Sequence, residues 1–306
     1  MRIEIGIPTY RRPRKLAELL AALPSRIAEA ADFGEIGVIV VDNDPEGSAE
    51  TVVEQFPASF VRYAREPRPG IAAARNRALD EASGADLLAF IDDDERPRAE
   101  WLSSLLRVWS KHQPAAVMGR VISVFEADVD PWVLATGVFR RRPRPTGSPV
   151  PVAAAGNLLL DLGQIRGLGV RFDETLGLAG GEDTLFSRQV VARGGVILWC
   201  NESETEDEVP VDRLTRQWAL RRGFNGGNAK INVELRLTSS PTRRLAIRAG
   251  AVPAGFARVL AGGLSHLRGR LAGDLSRDAR GLRTVYRGLG MVSAAVGHTH
   301  HEYRRH

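Results

Sequence analysis

Roughly the first hundred residues alternate short β-branched runs with segments of helical apolar spacing, and this alternation constrains the fold more than any other feature. Ile3–Ile7, Ile36–Val41, Phe60–Tyr63 and Leu87–Ile91 read as strands. Arg14–Leu23, Ala49–Gln55, Ile71–Ala82 and Pro97–Trp109 read as helices. In the first of these, Leu16, Leu19, Leu20 and Leu23 recur at helical spacing; the last opens on proline, which suits a first helical turn. The unbroken run Ile36–Val41 marks a strand covered on both faces. Strand and helix in turn predict an α/β, Rossmann-like fold: a mainly parallel sheet with right-handed crossovers, flanked by helices. Such sheets bind ligands at the carboxyl ends of their strands. Polar residues stand there: Pro8-Thr9-Tyr10, Asp42-Asn43-Asp44 and Asp92-Asp93-Asp94.

The second half is less regular. It shows strands at Ala115–Phe125, Ala153–Leu160 and Gly195–Cys200, and a Pro/Arg-rich loop from Arg140 to Pro151. A glycine loop at 177–181 leads into a helix through Arg193, and Arg213–Arg222 reads as a further helix. Charge then shifts. From Arg236 onward there are 13 Arg and 3 acidic residues, or +10, against 29 basic and 34 acidic residues before it, or −5. The expected division is therefore 1–235, a sheet domain, and 236–306, a basic amphipathic helical extension. Leu275, Ala279, Leu282, Val285, Leu289 and Val292 recur at three- and four-residue spacing, with Arg277, Arg280, Arg283 and Arg287 largely elsewhere. That pattern suits a helix lying on an anionic membrane and equally a helix packed on the protein with a solvated arginine face. Nucleic acid is not an expected partner: the basic segment lacks interleaved aromatics and the rest is acidic.

One cysteine, Cys200, forms no intramolecular disulfide and fits a reducing compartment. The chain starts directly with a strand, and no leader is expected. The longest uncharged stretch, Pro145–Leu160, carries three prolines, so no spanning helix is read. The expectation is a cytoplasmic protein, or one peripheral to the inner face of the plasma membrane.

Three constellations carry chemistry. Asp92-Asp93-Asp94-Glu95 follows a buried strand, where hard oxygen donors suit Mg²⁺ or Mn²⁺ bridging to a diphosphate. Asp42 ends a strand, where a carboxylate serves a ribose or base, or else an Asx-type turn before Pro45. Gly180-Gly181-Glu182-Asp183 places two acids at a helix start, favoured by the dipole, which suits either a plain helix start or a general base that accepts a hydroxyl proton. Arg75 suits an anionic phosphate or carboxylate. No histidine pair within the body has metal spacing, and His298, His300 and His301 fall in a tail read as exposed. There is no P-loop and no G-x-S-x-G elbow.

Taken in order, Ile7-Pro8-Thr9-Tyr10, Val40-Val41-Asp42-Asn43, Gly70–Asn76, Phe90–Asp94 with Trp101, Gly156-Asn157 and Gly180–Asp183 resemble the family 2 glycosyltransferases of GT-A fold. Val41–Pro45, Asp92–Glu95, Gly180–Thr184 and Glu208-Val209-Pro210 followed by Arg213 resemble the succinoglycan-type exopolysaccharide glucosyltransferases. The resemblance implies an inverting transfer from a nucleotide-sugar, most simply a UDP-hexose, to a glycan or lipid-linked glycan. It implies that Pro8, Thr9, Tyr10 and Asp42 hold the nucleoside, with Arg75 and Asp93 also on the donor side. Asp92 and Asp94 would form the D-x-D pair, with Asp94 the direct metal ligand. Asp183 would be the base and Glu182 its neighbour in the acceptor site; Trp218, Arg221 and Arg222 would lie near diphosphate and acceptor. One departure is that no histidine stands near Glu208 to complete a metal shell. A sugar-nucleotide nucleotidyltransferase would carry a glycine-rich loop where Pro8–Pro13 stands, and a non-catalytic binding scaffold would not need clustered carboxylates.

Overall fold

The computed structural model describes residues 1–176 and 180–298. The start of the glycine loop, and His300 and His301, lie outside the described residues. The strands are β1 (Arg2–Thr9), β2 (Glu35–Asp42), β3 (Val61–Arg65), β4 (Leu87–Ile91), β5 (Glu95–Pro97), β6 (Ala116–Phe125), β7 (Asn157–Asp161) and β8 (Ile197–Val209). The helices are α1 (Pro13–Ala28), α2 (Glu50–Val53), α3 (Ile71–Glu81), α4 (Trp101–His112), α5 (Pro131–Ala135), α6 (Leu162–Leu168), α7 (Glu182–Ala192), α8 (Arg216–Arg236), α9 (Pro241–Ala272) and α10 (Leu275–Ala295). The chain divides into two compact units. The first holds residues 1–122, 141–176 and 182–207; the second holds 123–140, 180–181 and 208–298.

The first unit is built on one sheet in the order β3-β2-β1-β4-β7-β6-β8-β5. β3, β2, β1 and β4 are mutually parallel, with Thr9 level with Asp42. β7 joins antiparallel to both β4 and β6, and β5 pairs antiparallel with β8. Alternate residues of the central strands face opposite layers, as strand geometry requires. Ile3, Ile5, Ile7, Val38 and Val40 meet Leu16, Leu19, Leu20 and Leu23 of α1 and Trp101, Leu102 and Leu105 of α4. Ile39, Val41, Leu88 and Phe90 face the alanines of α3, with Phe172 and Phe186. Gly6 leaves room for Phe90, since a Cβ there would stand 3.2 Å from both Leu88 and Phe90. The apolar side chains put away on each face contribute about 1.5–3 kcal/mol apiece.

Among the elements that differ from the sequence reading, β8 runs on to Val209 rather than stopping at Cys200, and α8 to Arg236 rather than Arg222. Pro97 does not open a helix; it closes the short strand β5, opposite Thr205. The helix starts at Trp101 behind Glu100, which takes a left-handed conformation at φ 58°. The strand read at Ala153–Leu160 begins only at Asn157, where its pairing with Ile91 of β4 starts.

In the second unit, α10 packs on α8, α9 and α5. The contacts run through glycine. A Cβ at Gly262 would stand 2.7 Å from the Gly281 carbonyl oxygen, and one at Gly255 2.8 Å from that of Gly288. Gly227 meets the backbone of Arg287, and Gly290 that of Phe224, at distances that leave no space for a Cβ. The apolar row of α10 is largely used in this packing: Ala279 is buried, and Leu282, Val285 and Val292 are half-buried. Of the row, Leu275 and Leu289 remain exposed. α9 also corrects the expectation of no membrane-length helix: it is long and apolar enough to cross one, since its arginines gather toward the two ends and leave only Arg258 between Arg248 and Arg268.

Candidate active site

β4 is buried along its whole length, and the chain turns polar as it leaves the sheet. The three aspartates that follow take separate paths. Asp93 turns toward β1, where it accepts hydrogen bonds from Thr9 Oγ1 at 2.7 Å and Arg12 Nη1 at 2.9 Å. The same guanidinium reaches Asp94 Oδ2 at 2.6 Å. Burial pushes the Asp93 carboxyl up to about 6, against the pull of Arg12. Burial also works against the Arg12 charge, but Asp94 and Asp93 more than offset it and hold the guanidinium firmly protonated. Asp93, assigned by resemblance to the donor side, is thus a tie between the first and fourth strands.

Asp92 faces α3. Arg75, with its side chain only 6% exposed, donates to Asp92 Oδ1 at 3.2 Å and to Glu182 Oε1 at 2.8 Å. Its guanidinium stands 5.6 Å from the Phe172 ring centroid. Arg75 therefore joins the strand-end carboxylates to the start of α7. Burial raises Asp92, the charges of Asp94 and Asp183 add to the effect, and Arg75 opposes it. Glu182 is raised by burial and by Asp183, again against Arg75. Glu95, beside them, is raised well above the usual carboxylate range by burial and by the charge of Asp92. A Cβ at Gly156 would stand 2.5 Å from Glu95 Oε1 and 2.8 Å from Asp92 Oδ2, so any side chain there would have to displace these two carboxylates. Asn157 locks the floor: its Oδ1 accepts from Trp101 Nε1 at 2.9 Å and its Nδ2 donates to the carbonyls of Arg120 and Ser203.

Asp183 is half-buried in the first turn of α7, and its Oδ1 accepts the Thr184 amide at 2.6 Å. The helix dipole favours both acids at this end. Asp183 is close enough to Asp92, Glu182 and Arg75 to act on their protonation.

The nucleoside-side residues sit at the ends of β1 and β2. Pro8 and Thr9 are buried, and half-buried Tyr10 lies beneath the Arg11 guanidinium at 5.2 Å. Asp42 is fully buried. Its Oδ1 accepts the Asp44 amide at 3.0 Å; its Oδ2 accepts the Ala49 amide at 2.8 Å and the Tyr63 hydroxyl at 3.1 Å. This is the turn-building arrangement rather than an open acceptor. Asn43 extends it, donating to the carbonyls of Glu66 and Arg68 and accepting from the Gly70 amide. Gly70, the cap of the helix α3 that carries Arg75, is thereby tied to the end of β2.

Trp218, Arg221 and Arg222 belong to α8 in the second unit. Trp218 stacks on Phe139 with ring centroids 5.4 Å apart and planes 8° from parallel. Arg221 and Arg222 are exposed.

The structure thus brings Arg75, Asp92, Asp93, Asp94, Glu182 and Asp183 into one linked network. Sequence reasoning missed Arg12, Glu95 and Asn43. An arginine just after a strand is too common to single out, and Glu95 was read only as part of an acidic run. Among the described residues no three His, Cys, Asp or Glu side chains converge as a metal cage. The donor set is nonetheless hard oxygen, with Asp92 and Asp94 crowded by further carboxylates. It fits a hard divalent ion such as Mg²⁺ or Mn²⁺, which Asp92 and Asp94 would hold.

A sheet of this order with carboxylates at its central strand end is a GT-A arrangement. The chain matches the family described as Glycosyl transferase family 2 over residues 4–162. It is 35% identical, over 238 residues, to the succinoglycan biosynthesis protein ExoM of Rhizobium meliloti (strain 1021), covering 74% of this chain and 73% of that one. Its fold is similar to that of the mannosyltransferase PcManGT from Pyrobaculum calidifontis in complex with GDP-Man and Mn²⁺, with a TM-score of 0.60 at 18% identity over 96% of this chain and 86% of that chain. It is similar as well to S. aureus TarS 1–349 in complex with UDP-GlcNAc, with a TM-score of 0.54 at 17% identity over 94% and 90%. The chain belongs to glycosyltransferase family 2.

Proposed function

We propose that this glycosyltransferase moves a hexose from a UDP-sugar to a glycan or lipid-linked glycan in surface polysaccharide assembly, with inversion at the anomeric carbon. The carrying observation is the placing of Asp92, Glu182 and Asp183 around Arg75 at the end of β4, with the charge of Asp94 acting on Asp92. The relative named for succinoglycan biosynthesis supports the polysaccharide setting. The UDP-GlcNAc bound to a structural neighbour supports the donor class.

Asp183 accepts the proton of the acceptor hydroxyl as its oxygen attacks the anomeric carbon. The bond from that carbon to the diphosphate oxygen breaks on the opposite side, which inverts the centre. The Asp183 carboxylate is held for this by the Thr184 amide. Arg75 keeps Glu182 and Asp92 in place by bonding both carboxylates. Asp94 and Asp92 would hold the divalent ion, whose charge offsets that of the departing nucleoside diphosphate. Pro8, Thr9 and Tyr10 border the nucleoside, and Asp42 shapes the loop beside it. A lipid-linked acceptor places the enzyme at the cytoplasmic face of a membrane, with the basic C-terminal helices as its peripheral contact.

The test is a transfer assay with Asp183→Asn beside a donor titration. Loss of turnover with donor affinity kept supports the base assignment; full turnover in the variant removes it.

A further inference from the structure

The second unit turns a large apolar face outward. Leu245, Phe256, Leu260, Leu264, Leu267 and Leu271 of α9 are all exposed, Leu260 by 74% and Leu271 by 80%. At 3.6 residues per turn these six fall within an arc of roughly 120° that holds no charge, along about 39 Å of helix. The opposite side of α9 carries Gly255, Gly262 and Gly269, seven residues apart, each against the backbone of α10. Arg268 and Arg243 border the apolar arc on one side, Arg270 and Arg248 on the other. Pro241–Ala272 contains six arginines and no acidic residue. A soluble protein rarely leaves so long an apolar row uncovered without a partner for it.

We propose that this face of α9 docks in the plane of an anionic lipid surface, with the leucines at the level of the upper acyl chains and the bordering arginines on the headgroups. Two observations choose this occupant. A second copy joined along the same face would set arginine rim against arginine rim with no carboxylate on α9 to pair them, whereas anionic headgroups supply that charge. A spanning arrangement is opposed by α10. Its backbone is locked to α9 at Gly255, Gly262 and Gly269, so crossing would carry Arg277, Arg280, Arg283 and Arg287 into hydrocarbon. The membrane contact thus shifts from the α10 row, which is spent on helix packing, to the leucine row of α9. The assignment takes its purpose, access to a lipid-linked acceptor, from the transferase reading, but its test is independent of catalysis.

The full chain is sedimented with sucrose-loaded vesicles of phosphatidylcholine, with and without phosphatidylglycerol. Binding is expected to the anionic vesicles only. The triple variant Leu260→Ser, Leu264→Ser, Leu271→Ser, which alters exposed side chains alone, is expected to partition roughly tenfold less or weaker still. In Phe256→Trp, lipids brominated high in the acyl chain should quench the indole more than lipids brominated near its end. Three results would overturn the proposal. One is equal partitioning of wild type and triple variant. Another is a lipid-free dimer that the triple variant dissociates. The third is quenching greatest at the bilayer centre with resistance to carbonate extraction, the mark of a spanning helix. Each preparation is also titrated with UDP-glucose. Donor binding without vesicle binding ends this inference and leaves the transferase reading; vesicle binding without donor binding does the reverse.

Discussion

In the sheet unit the packing that joins sheet to helices is between large side chains: Ile3, Ile5 and Ile7 with Leu16, Leu20 and Leu102. In the helical unit it is between backbones, α9 against α10 at Gly255, Gly262 and Gly269 and α8 against α10 at Gly227 and Gly290. The sheet unit hides its apolar groups and gathers charge at one strand end, where the proposed chemistry would lie. The helical unit is bound through the absence of side chains and leaves its leucines outside. Stability in the first comes from volume filled; in the second it depends on space left open.

That contrast predicts which changes each unit resists. The largest effect concerns chemistry in the sheet unit. Asp183→Asn should lower turnover about 10²- to 10⁴-fold, the usual share of a general base. The same variant should sediment with anionic vesicles like wild type. Loss of both together would mean that the two roles are not separable. Next, deletion should harm the sheet: Phe90→Ala empties a site that is fully buried and should cost about 3–5 kcal/mol in denaturant unfolding. Addition should harm the helices: Gly262→Val sets a branched side chain against the α10 backbone and should cost about 1–3 kcal/mol or more. Were Gly262→Val neutral, the backbone contact would not be what joins these helices.

Glu95→Gln sharpens the electrostatic side of the comparison. The Glu95 carboxyl is raised in the folded protein, so its favourable protonated form is fully present below the ordinary glutamate range. Stability from it is lost as pH rises through the raised folded value. Wild type should therefore lose thermal stability relative to Glu95→Gln as pH climbs from about 4.5. A melting-temperature difference that stays flat with pH would mean that burial does not hold this proton. The smallest effect is a control: Gly263→Ala, where nothing lies within 4 Å of the added Cβ, should stabilise α9 by up to about 1 kcal/mol.

The sheet unit was the more legible because its information is written in side chains. The runs at Ile3–Ile7, Ile36–Val41 and Leu87–Ile91 mark three central strands, and Leu16, Leu19, Leu20 and Leu23 mark the buried face of α1. The aspartates after Ile91 could be placed at a strand end for the same reason. Pro97 misled because proline suits both a first helical turn and the end of a short strand; pairing with Thr205, far along the chain, decided it. Arg12 was invisible because its meaning lies in Asp93 and Asp94, some eighty residues away. In the helical unit the spacing of Leu275, Ala279, Leu282 and Val285 gave a correct helix, but amphipathicity does not name the partner of a face. The heptad of Gly255, Gly262 and Gly269 carried that answer, and it reads as spacing between absent side chains.

The central claim is that the carboxylate network at the end of β4 is the donor site. Its most direct test is calorimetry with UDP-, GDP- and dTDP-sugars, with and without Mn²⁺, on wild type and on Asp94→Ala. The account predicts tight binding of the uridine donors to wild type in the presence of Mn²⁺, weakened sharply when either Mn²⁺ or the Asp94 carboxylate is removed. Nucleotide binding that is indifferent to both, or none from any donor, would contradict it.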